Sequence, residues 1–216
     1  VKSDFRKSLF SNLQISILIY LCTLMILPIV AYGNPILRKV CKPITADYKD
    51  LDILISNMWE TLYNSNGVGL AAPQINHEIR LFLVDSLQIV EGADEEDKET
   101  YKDEKPIKQV FINPTVLSLE GEEWKYNEGC LSIPKVREDI YRNQRVTITW
   151  QDEHFVPHTQ TFDGITARVI LHEYDHIEGK LFIDHIKPLK KRLIKSKLDN
   201  IAKGKVKVDY RMIFYK

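Results

Sequence analysis

The pentad His172-Glu173-Tyr174-Asp175-His176 constrains the fold more than any other feature of the chain. It lies in the stretch ITARVILHEYDHI, after Gly164 and before Gly179, a pattern that predicts a helix with a glycine stop. Side chains four residues apart share one helical face, so the two imidazoles can converge on one cation while Glu173 reaches a water beside it. For a chain of 216 residues with six histidines, the number of such matches expected by chance is on the order of 0.01. A helix that holds a catalytic metal must be walled by other elements, and one of them has to supply a third ligand.

The text after the pentad does not supply it in a familiar way. Glu178 stands too close for a thermolysin-type ligand, and His185 lies beyond the H-E-x-x-H-x-x-G-x-x-H spacing. Among the soft donors Cys130 stands out, because Asn127-Glu128-Gly129-Cys130-Leu131-Ser132-Ile133-Pro134 reads as a turn running into extended chain. Such a segment presents a thiolate and the neighbouring backbone amide together. A lone cysteine is more often a small buried hydrophobe, so this reading needs a partner. Upstream, Gly67-Val68-Gly69-Leu70-Ala71-Ala72-Pro73-Gln74 permits close backbone approach but lacks the ending of a phosphate loop.

The rest of the chain reads as one globular domain. At 44% hydrophobic and 28% charged it is long enough to fold on its own core, so a metal would be there for chemistry. Leu51, Leu54, Ile55, Met58 and Leu62 repeat at helical spacing within 47–65, with Thr45 or Asp47 as cap and Gly67 as stop. Residues 79–85, 110–119 and 146–150 are rich in β-branched and aromatic side chains and predict strands. Acidic residues crowd 91–104, a solvated surface loop by default, whereas 187–207 is a basic amphipathic helix with Leu189, Leu193 and Leu198 on its apolar stripe. The formal net charge of zero removes the general case for a nucleic-acid binder, and no specific DNA binding is expected. Cys22, Cys41 and Cys130 are too few and too scattered for a disulfide scaffold, which points to a reducing compartment. Residues 1–24 carry a long uncharged run and read either as an extension from an upstream start or as a targeting or membrane-anchoring segment.

Three separate segments, GVGLAAPQ, EGCLS and HEYDH, resemble in order the three signature motifs of the peptide deformylases. The resemblance runs from about Leu27 into the basic helix near residue 200. It departs in the first 24 residues, in the acidic insertion at about 88–106 and in the final VKVDYRMIFYK, departures that are expected to leave the site intact. It implies an α+β fold in which antiparallel sheets surround a central helix, a catalytic domain over 25–216 with a basic C-terminal helix at about 187–204, and a bacterial cytoplasmic enzyme. That enzyme removes formyl from the N-terminal methionine of nascent chains. By the same resemblance Cys130, His172 and His176 hold one divalent metal, Fe(II) in the cell with zinc, nickel or cobalt as substitutes. Glu173 is then the acid and base, while Gln74 and the Leu131 backbone N–H face the formyl oxygen. Gly67 and Gly69 pair with the peptide, Val68 and Val169 wall the methionine, and Arg137 lies near the outgoing chain. Glu128 and Arg142 form a supporting ion pair, Asp175 orients a ligand imidazole, and the basic helix docks at the ribosome. Two rival readings remain: a metallopeptidase cutting internal bonds, and a closed structural zinc site completed by His185, Cys41 or Cys22.

Overall fold

The computed structural model describes residues 24–95 and 98–215. Most of the 1–24 segment therefore lies outside the described residues, and with it Cys22. In chain order the elements are β1 (Ile29–Val30), α1 (Leu51–Asn64), β2 (Gly69–Ala71), β3 (Leu81–Asp85), the short helices α2 (Leu87–Glu91) and α3 (Lys98–Tyr101), β4 (Lys108–Cys130), β5 (Ile133–Gln151), β6 (Pro157–Asp163), α4 (Gly164–Ile177), α5 (Pro188–Ala202) and β7 (Met212–Ile213). Strands β2 to β6 form one antiparallel sheet in sequential order, and β1 pairs with β7 in a separate two-stranded sheet that is parallel.

Strand β3 shows why the sheet sits at the centre. Its side chains alternate between faces, and both faces are buried: Leu81 and Leu83 pack with Leu54, Met58 and Leu62 of α1, whereas Phe82 and Val84 pack with Ala167 and Ile170 of α4. A third cluster joins β1, the start of β5 and the buried side of α5. The metal-motif helix is thus covered on several sides, as its apolar sequence requires.

Several sequence expectations change in detail. Helix α1 is shorter than 47–65: it starts after Asp50, which takes a left-handed conformation (φ 56°), and neither Thr45 nor Asp47 caps it. Its stop is Asn66 (φ 51°), with the Gly67 N–H returning to the Leu62 carbonyl. The strands expected at 110–119 and 146–150 are the inner parts of far longer ones, because β4 and β5 pair along a two-stranded arm punctuated by register shifts. That arm exposes Leu117, Leu119 and Tyr141, so burial alone could not announce it. On α5 the buried side is Ile194, Leu198 and Ile201, and Leu189 and Leu193 face solvent.

The acidic insertion is also more than a solvated loop. Ser86 at its start and Ile107 at its end are tied by the Ser86 N–H to Ile107 carbonyl bond (2.9 Å) and the Ile107 N–H to Ser86 Oγ bond (2.9 Å). Glu104 then reaches the start of α4, where both carboxylate oxygens lie 3.0 Å from the Ile165 N–H. This satisfies one of the donors a helix start leaves open, at a place where the Asp163 side chain makes no cap bond.

Candidate active site

Helix α4 presents His172, Glu173 and His176 to the sheet, and the β4–β5 turn brings Cys130 to them. Cys130 ends β4 opposite Ile133, so Leu131 and Ser132 form a two-residue hairpin turn at the site. Cys130 Sγ lies 3.3 Å from His176 Nε2, and the donor atoms of Cys130, His172 and His176 all fall within 4.8 Å of one another. Among the described residues this is the one cluster of His, Cys or acidic side chains able to hold a metal ion. His185 is instead bound to Asp175 at 2.7 Å and Cys41 is buried in the sheet core, so neither completes a closed zinc site.

One carboxylate organises the inner wall. Glu128 Oε2 accepts from His172 Nδ1 (2.9 Å) and Arg142 Nη2 (3.0 Å), and Glu128 Oε1 accepts from Arg142 Nε (2.7 Å) and Arg168 Nη1 (3.0 Å). This turns the His172 Nε2 toward the thiol. Burial works against the charge on Glu128, but His172 and Arg142 outweigh it and hold the carboxyl well below its usual range. Asp175 orients no ligand imidazole: its Oδ2 is taken by Arg142 Nη1 (2.7 Å) and His185. Arg168, 2% exposed, was not singled out by the sequence. It also donates to the Trp124 carbonyl (2.6 Å), with its guanidinium 4.4 Å from the Trp124 ring centroid. The signal for it was a charged residue one turn before His172 in an otherwise apolar run.

The reactive groups are tuned by the same enclosure. Burial raises the Cys130 thiol, yet His176 and His172 beside it bring it down to about 5, so it is a thiolate near neutral pH. Glu173, 3% exposed, is pushed up to about 7 by burial, against the pull of the two imidazoles. One of its carboxylate oxygens, and His176 Nδ1, are buried with no partner among the described residues. Gly69 makes this packing possible, because a Cβ there would meet Glu173 Oε1 at 2.4 Å. Gln74 is fixed by the Ala71 N–H at its Oε1 (2.8 Å) and turns its amide N–H toward Cys130 Sγ (3.4 Å) and Ser132 Oγ (3.3 Å).

A cleft of about 600 Å³ opens over these groups. Gly67, Val68, Gly69, Gln74, Leu131, Arg137 and Val169 line it together with Glu128, Cys130, His172 and Glu173, whereas His176, Arg142 and Asp175 lie off the cleft surface. Arg137 is braced by Asn127, through Nε to Oδ1 (2.9 Å). The final segment, expected to leave the site alone, lines the cleft as well: Lys207 to Tyr210 form part of its wall.

The comparisons match this arrangement. A family model described as polypeptide deformylase matches residues 26–192. The peptide deformylase of Christiangramia forsetii is 54% identical over 192 residues, 88% of this chain and 96% of that one, and the one of Flavobacterium psychrophilum is 56% identical over 188 residues, 87% and 96% of the two chains. Among solved structures, a peptide deformylase from Legionella pneumophila superposes with a TM-score of 0.69 at 35% identity, covering 84% of this chain and 98% of that one. The peptide deformylase from Thermus thermophilus gives 0.71 at 32% identity, over 83% and 99%. With the Cys130 turn and the helix carrying His172 and His176 both inside the matched span, the chain belongs to the polypeptide deformylase family.

Proposed function

We propose that this deformylase releases formate from formyl-methionyl peptides through a division of labour among the residues of the cleft. The observation that carries the reading is the convergence of Cys130, His172 and His176 within 4.8 Å, beside a buried Glu173. Thiolate and imidazole donors with an orienting carboxylate suit one divalent ion, which when bound supplies a Lewis acid and a water that ionises near neutral pH. Iron(II) is our assignment in the cell from the family resemblance, and zinc, nickel and cobalt suit the same donors.

Glu173 takes a proton from the attacking water and delivers it to the departing amine; a carboxyl raised to about 7 is suited to both directions. The Gln74 amide N–H and the Leu131 backbone N–H face the formyl oxygen as charge builds there, and losing one such donor typically costs about 3 kcal/mol of barrier. The peptide lies extended along Gly67–Gly69, whose small residues let its main chain approach. Val68 and Val169 enclose the methionine side chain, and Arg137 meets the chain on its way out. The test is formate release by the anaerobically purified, metal-loaded protein from formyl-Met-Ala-Ser, beside an acetylated control. Formate from the first and no cleavage of the second is the expected result, whereas cutting of an internal bond would return the site to the metallopeptidase reading.

The nascent substrate and the bacterial relatives support action in the bacterial cytoplasm, and no helix among the described residues is long and apolar enough to cross a membrane. We also place α5 at the ribosome. Lys190, Lys191 and Lys195 pair with Glu138, Asp184 and Asp199, so Arg192 and Lys197 are the better cations to test for RNA contact. Reversing Arg192 and Lys197 to Glu is expected to reduce co-sedimentation with ribosomes and its salt dependence; unchanged co-sedimentation would remove the helix from that role.

A further inference from the structure

After α5 the chain turns at Gly204 (φ 71°), with the Lys205 N–H returning to the Asn200 carbonyl at 2.8 Å. It then crosses back over the molecule and pairs with β1, where the Ile29 N–H meets the Arg211 carbonyl (2.8 Å) and the Ala31 N–H meets the Ile213 carbonyl (2.9 Å). The tail is thus fastened at both ends. Between these anchors Tyr210 donates its hydroxyl to the Leu131 carbonyl at 2.8 Å, fixing the tail to the hairpin turn that carries the Leu131 N–H. Val208, Asp209 and Tyr210 also line a neighbouring hollow of about 670 Å³ with Asn64 and the 25–28 segment, so one strip of chain divides it from the cleft.

The charge on this strip faces a lopsided rim. The exposed charged side chains lining the cleft are Lys135, Arg137 and Lys207 against Asp209. Arg137 is already occupied by Asn127. Lys135 and Lys207 form no ion pair among the described residues, although many lysines of this protein do. An unpaired cation at the mouth of a substrate cleft discriminates among ligands by charge.

We propose that the C-terminal tail is a specificity-determining wall of the substrate cleft, in which Tyr210 pins the tail to the Leu131 turn and Lys207 offers its ammonium to acidic side chains downstream of the formyl-methionine. The inference rests on the deformylase reading of the cleft and adds to it a preference among peptides. Lys207 is a binding residue here and takes no part in the chemical step.

The test uses the full chain loaded with metal and C-terminally amidated peptides in matched pairs: formyl-Met-Ala-Glu-Ser against formyl-Met-Ala-Lys-Ser, and formyl-Met-Ala-Ser-Glu against formyl-Met-Ala-Ser-Lys. Each kcat/KM is taken relative to formyl-Met-Ala. The parent is expected to favour the acidic member of at least one pair by roughly two- to fivefold, the size of an exposed charge pair, with the preference shrinking as salt rises. Lys207→Ala should erase that preference and Lys207→Glu should invert it, with the change in KM and not in kcat. Tyr210→Phe, which keeps the ring but removes the tail's tie to the Leu131 carbonyl, should narrow it. Equal ratios in the parent and in Lys207→Glu would overturn the proposal. Absence of formate release from every peptide by the parent would overturn the deformylase reading, and this one with it.

Discussion

At Glu128 a single carboxylate is shared among two guanidiniums and the Nδ1 of His172, deep in the wall of the cleft. Such a cluster holds the imidazole at one angle, and we assign proton transfer to Glu173, which takes no part in it. Glu173→Gln is therefore expected to keep the bound metal while formate release falls by about a hundredfold or more, because an amide cannot shuttle a proton. Metal analysis and a formate assay on the same preparation check it, and loss of metal in that variant would give Glu173 a structural role instead. The cluster of Cys130, His172 and His176 was legible in the sequence: two histidines at helical spacing are a strong signal, and Cys130 joined them through its neighbours Glu128 to Ser132. Arg168 was not, since nothing in a string of letters tells a buried guanidinium from one on a solvated face. The imidazole-orienting role expected of Asp175, on the helix itself, falls instead to Glu128 on β4, which only the fold brings to His172.

Among the elements, α4 depends on a residue from a segment that reads as decoration. Glu104 places both oxygens on the Ile165 N–H, and Gly164 (φ 56°) gives it room, since a Cβ there would meet Glu104 Oε1 at 2.1 Å. Glu104→Ala is expected to destabilise the protein by about 1 kcal/mol, the usual loss for a helix cap, and Glu104→Gln by less because it keeps an acceptor. Urea denaturation of the two variants measures both, and an Ala variant as stable as the parent would remove the cap from the account. The position of α4 and the inner strands followed from apolar periodicity. The length of the β4–β5 arm did not, because residues 120–127 of β4 lie largely exposed and carry little apolar signal. The insertion hid its capping acid among seven others of the same sign within 91–104.

Across the whole molecule, Asp184 joins segments far apart in sequence. It accepts from Arg38, from the Leu181 N–H (2.9 Å) and from Lys191 of α5 (3.1 Å). Burial opposes its ionisation, but these three partners outweigh that and keep its carboxyl below the ordinary value. A depressed folded pKa means that the unfolded chain binds the extra proton first, so the stabilisation is present above pH of about 4 and is lost as pH falls through the folded value. Asp184→Asn should accordingly be less stable than the parent at pH 7, with the difference closing as denaturation is repeated toward pH 3. A constant difference across that range would show that charge is not the cause. Long-range closures of this kind are what a linear reading misses: β1 and β7 pair two short segments from opposite ends of the chain, and neither has enough periodicity to announce a partner.

That pairing sets an order of events during synthesis. Strand β1 leaves the ribosome early, but Tyr210, which lines the cleft, and β7, which anchors the tail to β1, are made after the helix with the metal motif. A chain still being elongated can bring Cys130, His172 and His176 together while one side of its cleft is missing. A chain stopped before Lys207 would hold Cys130, His172 and His176 but would lack the Lys207–Tyr210 wall beside them.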